Sequence, residues 1–163
     1  MINDQKNTIQ ELKTRLAVLE ADPHSDPREK IDVMNKLARS SLNHDLVESE
    51  QLSQQAHQLA TNLDPAYQTG ILESLVNLGY VNYFLGNYSL ALQNSLKALD
   101  KADALQMLDR HSAILHNLGS IYYGLGDYLT ALQYYHRRYQ VAQQTNNFLQ
   151  EAEALNALGL VYD

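Results

Sequence analysis

The chain has 163 residues, with 12 lysine and arginine residues against 19 aspartate and glutamate residues, and a formal net charge of −7. This balance disfavours DNA or RNA as a ligand, because nucleic-acid affinity depends on clustered basic side chains that neutralise phosphates. The lack of cysteine excludes disulfides, thiolate nucleophiles and cysteine-based metal centres.

The first residues are polar and mixed in charge, without an apolar run of about seven residues such as a signal peptide requires. No segment approaches the roughly 18 apolar residues needed to span a bilayer. The acidic balance also offers no basic face to an anionic membrane surface. We therefore predict a cytoplasmic protein that binds neither nucleic acid nor membranes.

A narrow apolar seam marks the N-terminal segment. Its members follow the three- and four-residue spacing of one helix face: Ile9, Leu12, Leu16 and Leu19. The segment ADPHSDP then interrupts the helix, because proline disfavours helical backbone in the residue before it. We assign residues 1–27 to an N-terminal capping helix and a proline-containing linker. A dimer-forming coiled coil is the alternative interpretation of the seam.

An internal repeat of 40 residues organises the rest of the chain. Residues 71–110 and 111–150, compared without gaps, are identical at 12 of 40 positions, where unrelated segments share only a few. A half repeat, 151–163, begins in the same way, and a degenerate copy covers about residues 28–70. The sequence therefore predicts a helical array over residues 28–163.

Each full repeat predicts two antiparallel helices. Residues 71–85 and 111–125 carry apolar side chains three and four residues apart, which is typical of a helix with one buried face. A glycine follows each helix, and we expect it to adopt the left-handed conformation while the next polar residue caps the following helix. These pairs are Gly86 with Asn87 and Gly126 with Asp127.

Two further glycines lie inside the predicted helices, where glycine costs about 1 kcal/mol relative to alanine. They indicate a close approach by a neighbouring helix. We expect Ala131 to be the small partner of Gly119, and Ala91 to be that of Gly79.

The repeat resembles the tetratricopeptide repeat. The residues that carry the resemblance are Leu78, Gly79, Gly86, Tyr88, Ala91 and Ala98, and again Leu118, Gly119, Tyr122, Gly126, Tyr128 and Ala131. The long period resembles the variety found in Leu-Gly-Asn repeat proteins and in N-terminal regions of bacterial signalling proteins. The resemblance implies an all-α, right-handed superhelical solenoid of antiparallel helix pairs. Three residues depart from the pattern: Asn82 replaces tyrosine, Ser95 a bulky residue and Arg138 alanine.

By resemblance, the function is that of a non-catalytic protein–protein interaction module. It would be the regulatory or sensor region of a bacterial signalling protein, such as a diguanylate or adenylate cyclase, and would bind a peptide or protein in a concave groove. The family's groove positions are here Val76, Asn77, Tyr80, Tyr83, Phe84, His116, Asn117, Ser120, Tyr123 and Asn156. Tyrosine offers contact area and asparagine pairs with peptide backbone, which favours a peptide ligand. Packing between helices equally explains each tyrosine taken singly.

Catalytic and metal-binding motifs are missing from the sequence. The six histidines form no HExxH pattern and no pair four residues apart, and no P-loop, GxSxG or GxGxxG motif occurs. We therefore expect no enzymatic activity, no cofactor and no metal. Arg137 and Arg138 are candidates for an anion site, but adjacent arginines on a helix are more often exposed to solvent.

The apolar C-terminal segment supports an alternative function, a self-association module with no separate ligand. No second helix follows to cover its apolar residues, which are Leu155, Leu158, Leu160 and Val161. We expect the native polypeptide to continue with the rest of the repeat. For this chain we expect a homodimer through these residues rather than through the N-terminal seam.

Overall fold

Eight α-helices form the computed structural model, which describes residues 2–162 and the side chains of residues 6–161. They are α1 (Ile2–Ala21), α2 (Pro27–Ser41), α3 (Leu46–Asn62), α4 (Gln68–Phe84), α5 (Tyr88–Ala104), α6 (Leu108–Gly124), α7 (Tyr128–Gln144) and α8 (Phe148–Tyr162). The all-α prediction is confirmed. The chain divides into two compact units, Met1–Leu85 (unit 1) and Gly86–Asp163 (unit 2).

The 40-residue repeat consists of two 20-residue modules. Helices α4 to α7 each have 17 residues, and a turn of three residues separates each from the next. Every such turn, and the one before α8, contains one left-handed residue: Gly86 (φ +74°), Gln106 (φ +55°), Gly126 (φ +79°) and Asn146 (φ +51°). The expectation for the two glycines is confirmed. Gln106 and Asn146 adopt the same conformation, which asparagine tolerates and which most other side chains, including that of glutamine, disfavour.

The helices of the repeat begin three residues earlier than predicted, at Gln68 and Leu108. Capping of the second helices is confirmed in one case only. The Asp127 carboxylate accepts a hydrogen bond from the Thr130 amide at 3.1 Å, whereas Asn87 makes no side-chain capping bond.

The Asp127 cap makes the stability of unit 2 depend on pH. Hydrogen bonds from Thr130 lower the pKa of Asp127 below its ordinary value of 3.8. This stabilisation is therefore present at neutral pH and is lost as the pH falls through the folded-state pKa. We expect Asp127→Ala to lower the melting temperature at pH 7 but to have little effect near pH 2.

Circular dichroism melts at both pH values measure this difference. Asn87→Ala is the matched control, because the same position one repeat earlier has no cap to lose. Equal effects of the two substitutions at pH 7 would contradict the assignment.

In unit 1, α2 contacts α1, α3 and α4. Leu16 and Leu19 of α1 are buried, while Ile9 and Leu12 are half-buried. The C-terminal half of the seam, Leu16 and Leu19, therefore packs within unit 1 and is not available to a coiled-coil partner. The linker is a short turn in which Asp26 accepts from the Arg28 amide at 2.9 Å, so that α2 starts at Pro27.

In unit 2, α6 contacts α5, α7 and α8. The expectation that Ala131 fills the space at Gly119 is wrong. A Cβ atom added to Gly119 would lie only 2.7 Å from Cδ1 of Tyr135, so the glycine makes room for an aromatic ring of α7. Tyr135 lies 40 residues after Ser95, so the preceding repeat has no equivalent ring at this position.

The C-terminal helix is only partly open to solvent. Leu158 is 6 % exposed and forms a core cluster with Ala131, Tyr135 and Ala157. The expectation that Leu158 is exposed for self-association is therefore wrong: α8 turns this side chain towards α7. Leu155 and Leu160 are exposed, and Val161 packs half-buried at the edge of the cluster.

Candidate interaction surface

In unit 1, the predicted groove residues of α4 divide into buried and accessible ones. Val76 and Asn77 are buried, and the Asn77 amide donates to the backbone carbonyl of Asn35 at 3.0 Å. Neither residue is placed to contact a ligand, so these two site predictions are wrong. The Asn77 side chain connects α4 to α2 instead of facing a peptide.

The accessible residues of α4 are aromatic. Tyr80 is half-buried, with the guanidinium of Arg39 4.2 Å from its ring centre. The rings of Tyr83 and Phe84 lie 5.4 Å apart, and Phe84 is 50 % exposed. These three residues keep the exposure that a binding surface requires.

In unit 2, α6 presents His116, Ser120 and Tyr123 at the spacing of one helix face, and all three are at least partly exposed. Asn117 is buried, and its amide donates to the Ser95 hydroxyl at 2.9 Å. The prediction that Asn117 lines the groove is therefore wrong, for the same reason as for its equivalent in unit 1.

Side chains of α7 hold this face of α6 in place. The Ser120 hydroxyl donates to the His116 carbonyl at 3.0 Å and lies 3.2 Å from the Tyr135 hydroxyl. Tyr123 is 42 % exposed, and its ring is tilted against that of Tyr128 with 5.3 Å between the ring centres. The aromatic pair Tyr123 and Tyr128 thus lies next to the polar residues His116 and Ser120 of the same face.

Arg138 is the residue that the sequence interpretation placed wrongly. It is buried rather than exposed. Its Nε donates to the Ser112 hydroxyl at 3.2 Å, its Nη1 lies 3.3 Å from Nδ1 of His116, and its Nη2 donates to the Glu153 carboxylate. The repeat indicates burial of Arg138, because this residue lies 40 residues after Ala98, which is fully buried.

Arg137, next to it, is exposed as predicted. Its guanidinium lies 5.8 Å from the ring centre of Tyr134, which stacks on Tyr122 at 5.4 Å. Burial raises the pKa of Tyr134, and the Tyr122 hydroxyl acts in the same direction while Arg137 opposes both. The sequence analysis did not assign this stack a role.

On α8, Glu153 and Asn156 lie one turn apart, and both are exposed. Glu153 contacts Arg138, which in turn contacts His116 of α6. We call His116, Ser120, Tyr123, Glu153 and Asn156 together the α6–α8 surface.

Among the side chains of residues 6–161, no group of three or more histidine, aspartate or glutamate residues is arranged to hold a metal ion. None of the helices in that part of the chain has both the length and the apolar character that crossing a membrane requires.

Comparisons with known proteins identify similar folds. No family profile and no curated protein matches the sequence significantly. Aspartyl phosphate phosphatase F from Bacillus subtilis superposes with a TM-score of 0.82 at 20 % identity, covering 94 % of this chain and 40 % of the other. A signal transduction ATPase with a tetratricopeptide repeat sensor from Pyrococcus horikoshii gives a TM-score of 0.79 at 19 % identity, covering 99 % and 25 %.

BtubC from P. vanneervenii gives a TM-score of 0.73 at 19 % identity and covers 99 % of this chain and 64 % of its own. The chain thus spans 40 % and 25 % of the first two structures. Together with the eight helices, these similarities show that the chain has the fold of a tetratricopeptide-like helical repeat protein.

Proposed function

We propose that the chain is a non-catalytic interaction module that binds a peptide or protein through its exposed aromatic and polar residues. The observation that carries the proposal is the α6–α8 surface, where Tyr123 is 42 % exposed beside half-exposed polar groups and in contact with Tyr128 of α7, which is 53 % exposed. Partly exposed tyrosines are typical of protein-binding surfaces, because they combine a large contact area with a polar tip. Tyr80, Tyr83 and Phe84 extend the proposal to unit 1.

A regulatory or sensor role in a bacterial signalling protein is the finer part of the proposal. Its support is the tetratricopeptide repeat sensor named in the Pyrococcus structure and the phosphatase named in the Bacillus structure. A cyclase or other output domain in the same polypeptide, and a cytoplasmic location, belong to this proposal as well.

Substitution of Tyr123 tests the binding surface. A random peptide library displayed on phage is selected on the immobilised chain, and the affinity of the enriched peptides is measured for each variant. Tyr123→Ala is expected to weaken binding by tenfold or more, since an aromatic anchor contributes about 2 kcal/mol. Tyr139→Ala, which removes a half-buried tyrosine of α7 outside the proposed surface, serves as the control.

Circular dichroism must show that both variants retain their helix content. Equal binding by Tyr123→Ala and the wild type, or equal losses in both variants, would contradict the proposed surface.

Self-association is the second candidate function. The specific observation in its favour is that Leu155 and Leu160 are 51 % and 68 % exposed on α8. Burial of exposed leucine side chains in a homodimer would be favourable.

A further inference from the structure

A positive charge lies inside unit 2 with one acidic neighbour. The Arg138 side chain is 7 % exposed, whereas that of Glu153 is 51 % exposed. A buried guanidinium needs a compensating charge, and the other polar groups that contact it, Ser112 and His116, carry no negative charge. Among the described residues, the Glu153 carboxylate alone provides the compensation, and it does so from a position half open to solvent.

Two residues of α6 contact the Arg138 guanidinium besides Glu153 of α8. Ser112 and His116 belong to α6 and contact Nε and Nη1 of Arg138. Because arginine only donates hydrogen bonds, Nδ1 of His116 must accept, which places the hydrogen of a neutral ring on Nε2. The remaining nitrogen, Nη2, points to the carboxylate. Two of the three polar contacts of Arg138 thus come from α6, and Glu153 contacts only Nη2.

We propose that Arg138 is a binding site for an aspartate or glutamate side chain of a bound peptide, and that Glu153 occupies this site in the free chain. The inference rests on the proposed function, since His116 and Glu153 belong to the α6–α8 surface. On binding, the carboxylate of the peptide replaces that of Glu153 at Nη2, and Glu153 turns into water. The net charge of −7 opposes acidic ligands in general, so a preference for them requires a local cation.

Removal of the internal carboxylate tests this exchange. The Glu153 carboxylate is tethered to the same chain and therefore competes with the peptide at a high effective concentration. Removal of this competitor by Glu153→Gln is expected to tighten binding of the peptide acetyl-(Glu)5-amide at least about tenfold relative to the wild type. The uncharged acetyl-(Gln)5-amide should bind neither protein. The NMR signal of the Arg138 Nε–H group reports binding at the site itself, and it is expected to shift with the acidic peptide alone.

Two double variants separate this site from a general charge effect. In the Glu153→Gln background, Arg138→Met is expected to abolish the preference for the acidic peptide. Arg137→Met, which removes the exposed neighbour, should preserve it. A preference that survives Arg138→Met, or an Arg138 signal that the acidic peptide does not shift, would overturn the inference and leave the ion pair a purely structural one.

Titration of the wild type keeps the test decisive if Glu153→Gln does not fold. Here the acidic peptide should shift the same Arg138 signal at higher concentration, and the absence of a shift refutes the exchange. If the proposed function fails instead, the result is different. Tyr123→Ala then binds the library peptides as tightly as the wild type does, while the acidic peptide still shifts the Arg138 signal.

Discussion

Replacing Tyr135 with alanine is expected to lower the free energy of unfolding by about 3–5 kcal/mol, as is typical for large aromatic side chains in a core. Tyr135 is 5 % exposed and packs with Ala131, Ala157 and Leu158. Its ring also lies against Gly119, so the substitution leaves a cavity between α6, α7 and α8. Urea denaturation followed by circular dichroism measures the loss.

Tyr128→Ala is the matched control, because it removes a tyrosine of the same helix that is largely exposed. Its effect should stay below about 1 kcal/mol. Comparable losses in the two variants would show that Tyr135 does not fill the core of unit 2.

Gly119→Ala probes the same contact from the opposite side. The added methyl group overlaps the Tyr135 ring, and overpacking of this kind costs about 1–3 kcal/mol. In the Tyr135→Ala background the methyl group enters the new cavity instead, so the two effects should not add. Gly159→Ala, where no atom lies within 4 Å of the added methyl group, should stabilise α8 by up to about 1 kcal/mol.

The sequence predicted the fold well, because the signals were local and repeated. Two glycines at an interval of 40 residues marked the left-handed turns, and the apolar spacing marked the helices. The turns at Gln106 and Asn146 were not predicted. Asparagine, after glycine, is a typical left-handed residue at a helix end, whereas glutamine is not, so only Gln106 carries no local signal. Their conformation follows from the regular 20-residue spacing of the helices.

The exposure of the proposed surface residues was predicted less well, because exposure depends on neighbours that are distant in the sequence. Asn77 and Asn117 repeat at the same interval as the aromatic residues, and repetition alone does not distinguish a ligand-binding amide from one that links helices. The hydrogen bonds to Asn35 and Ser95 show the second role.

Arg138 illustrates a signal that was visible and misinterpreted. An arginine at a position where the preceding repeat buries alanine must either disrupt the packing or be accompanied by residues that accept its hydrogen bonds. It contacts Ser112, His116 and Glu153, which lie on two other helices. Such a set is not recognisable from spacing, because its members are 15 to 26 residues away from the arginine.

The second large effect is expected for Leu158→Glu. Replacement of a buried leucine removes about 2–5 kcal/mol of packing, and a carboxylate in the same apolar cluster adds a desolvation penalty. We therefore expect a loss of more than about 3 kcal/mol in urea denaturation. The α7–α8 contact should open first, because Leu158 packs on Ala131 and Tyr135.

Leu160→Glu is the control that separates folding from self-association. This residue is 68 % exposed, so its substitution should change the free energy of unfolding by no more than about 0.5 kcal/mol. Sedimentation velocity then becomes informative: if α8 forms a homodimer, Leu160→Glu together with Leu155→Glu should dissociate it while the fold persists. Dissociation by Leu158→Glu would carry no such meaning, because loss of the α8 packing removes the surface itself. A Leu158→Glu protein as stable as the wild type would contradict the burial of this side chain.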